Sequence, residues 1–193
     1  MKVLFVRHGE SVDDIENRYG GWADFPLTTK GEELIKSRVE AIKSLNEPFE
    51  VVFTSPLLRA KKSAEILSDG LNLSVETMEY FKERNTYGVL SGMEKNQARE
   101  KYPDQVDLLD QGEYVDGSER RDDIVSRVRK ALQMLERSGH QMVIVVTHGV
   151  LLKSLAEDIM GRKLIKKDDG GFLLVDLDGG ALRVISTNGI EIS

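Results

Sequence analysis

Cysteine is absent from this 193-residue chain, so disulfides, thiolate nucleophiles and cysteine-ligated metals are excluded from the outset. Histidine is scarce: only His8, His140 and His148 occur, and no spacing among them matches a metal site. Long apolar runs are missing too. The first, Val3 to Val6, is far too short for a signal peptide or a membrane span, and no later run approaches membrane length. The expectation is a cytoplasmic protein with no membrane partner. Positive charge is in deficit, 27 Lys and Arg against 33 Asp and Glu for a formal net charge of −6, which disfavours a general nucleic-acid binder. Any anionic ligand must therefore be gripped by a local basic cluster. With 40% of residues hydrophobic and 31% charged, no tract is biased enough for disorder, and residues 1–193 are expected to form a single domain around one core.

What is present alternates. KVLFV near the N-terminus, EVVFT at 50–54 and MVIVV at 142–146 are apolar runs rich in β-branched residues, separated by stretches with helical spacing. That is the pattern of a mostly parallel sheet covered by helices, and the fold class is α/β with three αβα layers. Thr29 and Glu32 have capping-box spacing ahead of a stripe of Leu34, Ile35, Val39, Ile42 and Leu45, which predicts a helix ending near Pro48. A second helix is expected after TSP at 54–56, with Pro56 in its first turn, Ala60, Ala64 and Leu67 buried, and Gly70 stopping it. A short strand around Leu73–Thr77 leads into EYFKERNTYGVLSG, whose glycines and lack of period mark a loop. Met93–Gly117 predicts one or two short helices broken at Pro103, an insertion or lid beside a site. Ile124, Val128, Leu132 and Leu135 mark a further amphipathic helix, VLLKSLAEDIMG another, and Gly179-Gly180 the turn of a terminal hairpin at the sheet edge.

Ligands of open α/β sheets bind beyond the carboxyl ends of the strands. Here the first strand ends in Arg7-His8-Gly9, VVFTSP leads into a helix whose first turns carry Arg59, and VIVVTHG ends in His148-Gly149. If these strands are neighbours, Arg7, His8, Arg59 and His148 point into one crevice. Glycine after each histidine lets the backbone approach a ligand, and the helix that follows offers amides to an anion. Such a cluster suits a phosphoryl dianion: arginine forks pair with its oxygens, and an imidazole can act as a nucleophile that forms a phosphoenzyme. An acid for the leaving oxygen is still needed. Glu83 in the central loop is the best placed, with Glu79 as fallback, because a carboxyl shut off from bulk water holds its proton more readily.

VRHGES, FTSPLLRA, KERNTYGVLSG and VVTHGVLLKSL, in this order over most of the chain, resemble the histidine phosphatase superfamily, also called the phosphoglycerate mutase-like family. The resemblance implies the phosphoglycerate mutase-like three-layer fold, His8 as the residue that takes the phosphoryl group, Arg7, Arg59 and His148 as phosphate ligands, and Glu83 as acid and base. It also implies that neither a metal nor an organic cofactor is used.

ENRYGGWADFPLTTKG, with Asn17, Gly20 and Gly21, and ERNTYGVLSGMEK, with Arg84, Tyr87 and Lys95, resemble the cofactor-dependent phosphoglycerate mutases. Together with Ser11 and Gly149 these are the expected substrate-binding residues. Several features depart from the mutase pattern: Asp14 in place of an asparagine, Gly20 in place of a small hydrogen-bonding residue, Val150 after the late HG pair, and one extra residue between Glu83 and Tyr87. The 93–117 region is shorter and lacks the mutases' paired arginines, with Arg120 and Arg121 following it. A mutase must retain a bisphosphate and a carboxylate, which needs more positive charge than hydrolysis does. The expectation is a phosphomonoesterase acting on a small phosphorylated metabolite, as a monomer or homodimer. Phosphoglycerate mutase, primed by 2,3-bisphosphoglycerate, is the alternative, and an inactive phosphate-binding adaptor the more remote one.

Other residues have plainer readings. Ser11 and Asn17 line the pocket or cap local structure. His140, in a polar RSGHQ turn, is structural, and GSERRDDIVSR is a helix start with a solvated face. Trp22, the only tryptophan, covers the site or is partly buried in the core.

Overall fold

Side chains alternate across a strand, so a strand apolar at every position must be covered on both faces. The computed structural model, which describes residues 1–193, satisfies this with a six-stranded sheet. Strand β1 (Lys2–Arg7) sends Val3 and Phe5 to one face and Leu4 and Val6 to the other; β4 (Met142–Thr147) likewise divides Val143 and Val145 from Ile144 and Val146. On the first face Ile124, Val128, Leu132 and Leu135 of helix α6 (Arg121–Arg137) complete a 19-residue core, with Leu151 and Leu152 of α7 (Gly149–Ser154). On the second, Ile35, Val39 and Ile42 of α2 (Thr29–Lys43) and Ala60, Ala64 and Leu67 of α3 (Leu58–Leu71) complete one of 14 residues. The α/β class and the three layers are as expected.

Strands β2 (Val51–Thr54) and β3 (Ser74–Thr77) join β4 and β1 in parallel, while β5 (Leu164–Asp178) and β6 (Ala181–Ile192) are antiparallel, in the order β3-β2-β4-β1-β5-β6. The three strands with functional ends, β2, β4 and β1, are therefore adjacent. The terminal hairpin turns at Gly179-Gly180 as expected but is far longer than its apolar runs. Val6 pairs with Phe172, so residues of β5 before Phe172 pass beyond the carboxyl end of β1, onto the side where the parallel strands finish.

Local details differ from the periodic reading. The cap of α2 is Thr28, whose side chain accepts from the Gly31 amide, one residue earlier than expected. Helix α3 begins after Pro56 and runs through Gly70 to Asn72, which ends it in the left-handed conformation (φ 55°). Gly70 is there for packing, since a Cβ would fall 2.6 Å from a Val39 methyl. The 79–92 segment contains two short 3-10 turns, Glu79–Phe81 and Gly88–Leu90. Between residues 93 and 117 the chain forms α4 (Lys95–Lys101) and α5 (Pro103–Asp110), broken at Pro103, over a satellite cluster of Tyr19, Leu90, Ala98, Val106 and Val115. A four-residue helix, α1 (Val12–Ile15), follows β1, and α7 ends in a π turn, Leu155–Ile159. No helix is long and apolar enough to cross a membrane.

Candidate active site

The backbone of His8 is fixed from both sides, its amide donating to Thr147 O (3.0 Å) and its carbonyl accepting from Gly170 N (3.2 Å). The imidazole Nδ1 lies 2.7 Å from the Gly9 carbonyl. A carbonyl only accepts, so Nδ1 carries the hydrogen and Nε2 presents a lone pair. Arg59 Nε donates to that lone pair at 3.3 Å, while Nη1 and Nη2 are held by the carbonyls of Ala23 (3.0 Å) and Gly21 (2.9 Å). Arg7 Nη1 donates to Lys167 O (2.7 Å) and lies 3.0 Å from Asp169 Oδ1. Both guanidiniums are thus oriented before any ligand arrives, which spares ordering entropy on binding.

His148 packs edge-on against His8, ring centroids 5.0 Å apart. Its Nε2 is 2.7 Å from Ser55 Oγ, and its buried Nδ1 has no partner. Both imidazoles are driven well below the ordinary value of 6.5, His8 by burial and then by Arg59 and Arg7, His148 by burial and then by His8 and Arg59. A neutral imidazole, His8, therefore stands at the floor of the site, backed by a second neutral one, His148.

The Glu83 carboxylate accepts from Arg84 N (2.9 Å, Oε1) and Val150 N (3.2 Å, Oε2). An amide of α7 expected to meet a ligand is thus engaged by Glu83. The loop itself is bolted down by Arg127 of α6, which donates to the carbonyls of Tyr80 (2.9 Å), Lys82 (2.6 Å) and Glu83 (3.3 Å) and makes a bidentate pair with Glu119, both bonds 2.9 Å. This corrects the reading of GSERRDDIVSR as a solvated face: Glu119 and Arg127 within it are largely buried and position the loop. Arg127 anchors the loop through backbone carbonyls and Glu119 accepts from the Asn85 amide (3.2 Å), backbone contacts that leave no mark in the sequence. Trp22 is 42% exposed, so it is not in the core; its Nε1 donates to Glu83 O at 2.6 Å.

These groups face a cavity of about 280 Å³. Arg7, His8, Arg59, Glu83, Ser11, Asn17, Gly20, Gly21, Arg84, Tyr87, Lys95 and Gly149 all border it. His148 does not; it is fully covered, behind His8. Glu79 is exposed and outside the cavity. Ser11 both lines the wall and closes the first turn of α1, its amide and hydroxyl donating to Asp14 Oδ2 (3.0 and 3.1 Å) and its hydroxyl also to Asp13 Oδ1 (2.7 Å). Asp14 is thus occupied by a cap. His140, 2.9 Å from Glu50, is structural as expected.

The expected reason for the two glycines after histidine also changes. A Cβ on Gly9 would lie 2.5 Å from the Gly31 carbonyl, and one on Gly149 would lie 2.8 Å from Lys167 Nζ. At Gly9 the close approach is to the protein's own backbone, whereas Gly149 borders the cavity and meets only the movable end of the Lys167 side chain. Lys167, Asp13, Arg18 and Thr86 border the cavity without having been anticipated. No sequence signal marks Lys167: the antiparallel pairing of β5 with β1 is what carries the residues ahead of Phe172 past His8. No three His, Cys, Asp or Glu side chains form a group able to hold a metal.

Comparison with known proteins agrees with this geometry. The model of the histidine phosphatase superfamily (branch 1) matches residues 3–185. PhoE of Bacillus subtilis, described as an uncharacterized phosphatase, is 30% identical over 160 residues, covering 82% of this chain and 77% of PhoE. A 2,3-bisphosphoglycerate-dependent phosphoglycerate mutase of Bifidobacterium longum is 38% identical over 111 residues, which span 56% of this chain but only 45% of the mutase. Among solved structures, YhfR of Bacillus stearothermophilus superposes with a TM-score of 0.80 at 25% identity, covering 97% of this chain and 96% of its own. With two histidine-glycine strand ends meeting at one cavity and a family match across nearly its whole length, the chain belongs to the histidine phosphatase superfamily.

Proposed function

We propose that the protein is a phosphomonoesterase that hydrolyses a small phosphorylated metabolite through a phosphohistidine at His8, with no metal or organic cofactor. One observation carries the reading: Nδ1 of His8 is committed to the Gly9 carbonyl at 2.7 Å, so the nucleophilic lone pair is on Nε2, beside Arg59. Low proton affinity keeps that lone pair free at neutral pH.

In the first step Nε2 attacks phosphorus and the ester P–O bond breaks. The Glu83 carboxyl gives its proton to the departing alkoxide, while Arg7 and Arg59 stabilise the oxygens of the transferring group. In the second step the Glu83 carboxylate takes a proton from water, the water oxygen attacks phosphorus, and the P–N bond breaks with its electron pair returning to Nε2. Inorganic phosphate leaves. Behind His8, His148 packs edge-on against the nucleophilic ring and carries its own hydrogen on Nδ1 when Ser55 donates to its Nε2.

Hydrolysis is favoured over mutase action by the wall of the cavity. Gly20 leaves room for the Asp13 carboxylate, whose Oδ2 lies 2.0 Å from where a Cβ would stand, Asp14 adds a second acidic group, and Val150 adds an apolar one. A wall of this kind weakens the hold on a second anion. The partial match to phosphoglycerate mutases keeps primer-dependent isomerisation as the second reading. Alkaline quenching, which preserves the acid-labile P–N bond, during turnover of a radiolabelled phosphate ester is expected to leave label on His8, and phosphate release to exceed interconversion of 2- and 3-phosphoglycerate. Unlabelled protein would sink the mechanism, fast interconversion with little release would establish the mutase, and failure to hydrolyse an aryl phosphate would leave a binding protein.

A further inference from the structure

The floor of the cavity is short of positive charge for a phosphoryl dianion. Both histidines are neutral, and Arg7 lies 3.0 Å from the Asp169 carboxylate, which offsets its charge. Arg59 is the one floor arginine without a carboxylate partner. Lys167 borders the same cavity with its ammonium free. Its neighbour Lys166 pairs with Asp168 at 2.8 Å, but Lys167 makes no ion pair and no side-chain hydrogen bond, although it is half-buried and borders the cavity. A long flexible cation left unpaired in a half-buried position is costly unless a ligand completes it.

Its placement is not accidental. The Lys167 carbonyl holds Arg7 Nη1 at 2.7 Å, so one residue orients an arginine through its backbone and projects a second cation through its side chain. The ammonium lies over Gly149, 2.8 Å from where a Cβ would stand. β5 shifts register against β6 between Lys167 and Phe172, and such an irregularity re-aims side chains at the end of a sheet.

We propose that Lys167 is a catalytic residue that binds an oxygen of the transferring phosphoryl group, supplying the charge that Arg7 shares with Asp169. The proposal rests on the phosphohistidine reading for its catalytic part, whereas its binding part does not. The charged and titratable groups facing the ammonium are Arg7 and His8 at the end of β1, Glu83 of the central loop, and Lys153 and Glu157 on α7 and the π turn. Burial, followed by repulsion from Arg7, brings its pKa below the ordinary 10.5, with Glu83 and Glu157 opposing. The charged form that binds phosphate is accordingly lost at a lower pH than for an ordinary lysine.

The test compares wild type with Lys167→Met and Lys167→Arg, after circular dichroism establishes that each is folded. Removing one preorganised charged donor is expected to lower kcat/KM on an aryl phosphate by about 10²-fold. Calorimetric titration with inorganic phosphate is expected to show affinity weakened about tenfold or more in Lys167→Met and largely restored in Lys167→Arg. The alkaline limb of the wild-type pH profile should move upward in Lys167→Arg, because guanidinium does not titrate there. Wild-type phosphate affinity and kcat/KM in Lys167→Met would overturn the proposal, as would an unmoved alkaline limb in Lys167→Arg. Phosphate binding is read without turnover, so loss of binding in Lys167→Met with no label on His8 in the wild type would count against the phosphohistidine mechanism and leave the Lys167 site standing.

Discussion

The floor of the cavity and its rim are held by different means. Floor residues Arg7 and His8 stand at the end of β1 and Arg59 on the first turn of α3 after β2, with His148 behind them at the end of β4. All four rest on two apolar cores of 19 and 14 residues, and the two guanidiniums are further pinned by carbonyls. Rim residues Asn17, Arg18, Tyr87 and Lys95 stand on turns and short helices over a five-residue cluster. Chemistry shared by a family needs fixed geometry and is placed where packing supplies it. Selection among substrates tolerates softer support and is placed on connections.

Four perturbations test that contrast, beginning with the largest. Replacing His8 by Ala is expected to cut turnover by about 10⁴-fold or more, since no other imidazole borders the cavity; steady-state hydrolysis within tenfold of wild type would refute it. Glu83→Gln should lower kcat by about 10²- to 10⁴-fold on an alkyl phosphate but much less on an aryl phosphate, whose leaving group needs little proton donation. Equal losses on both would mean that Glu83 acts through structure. Val145→Ala, fully buried in the sheet, is expected to cost about 2–3 kcal/mol in urea unfolding, against about 1 kcal/mol for Val106→Ala in the satellite cluster. The second variant should instead speed amide exchange over residues 93–117, and equal costs would erase the distinction. At the rim, Asp13→Asn should lower KM for 3-phosphoglycerate by roughly two- to fivefold through removal of one nearby negative charge, with kcat little altered. A larger change in kcat than in KM would move Asp13 from the rim to the floor.

Acid titration adds a test of the floor alone. Both imidazoles have folded pKa values depressed below 6.5, so below about pH 6.5 the unfolded chain binds protons that the folded one refuses. Stability should be intact above that pH and fall on acidification towards the folded values, by at most about 1.4 kcal/mol per pH unit for each histidine. His148→Gln should show a shallower fall between pH 6.5 and 5 than wild type; an identical slope would mean that His148 is not held neutral. Activity should survive acidification through that range as far as His8 is concerned, because its reactive form is the neutral one.

The layers of the fold were legible because a uniformly apolar strand has one solution, cover on both faces. The three strand ends were legible for the same reason: Arg7, His8 and His148 interrupt buried runs where nothing in packing calls for them. Helix termini were less so. Thr28 rather than Thr29 caps α2, and Asn72 rather than Gly70 ends α3, since neighbouring residues compete for a cap on near-equal terms and packing of Gly70 against Val39 decided the second case. A charged helix face looks alike in sequence whether it meets water or a loop's carbonyls, so Arg127 and Glu119 read as a solvated helix start although they hold the central loop.

By itself the sequence determined which residues end the central strands and hence the chemistry available there, because hydrophobic periodicity and strand-end placement are local properties. Only the tertiary structure decided that His148 stands behind His8 and outside the cavity, that Arg7 shares its charge with Asp169, and that Lys167 reaches the same floor from a strand 160 residues beyond Arg7. Those relations depend on register between distant strands and on the charges left unpaired once neighbours have chosen partners. Such quantities exist only when the chain is folded.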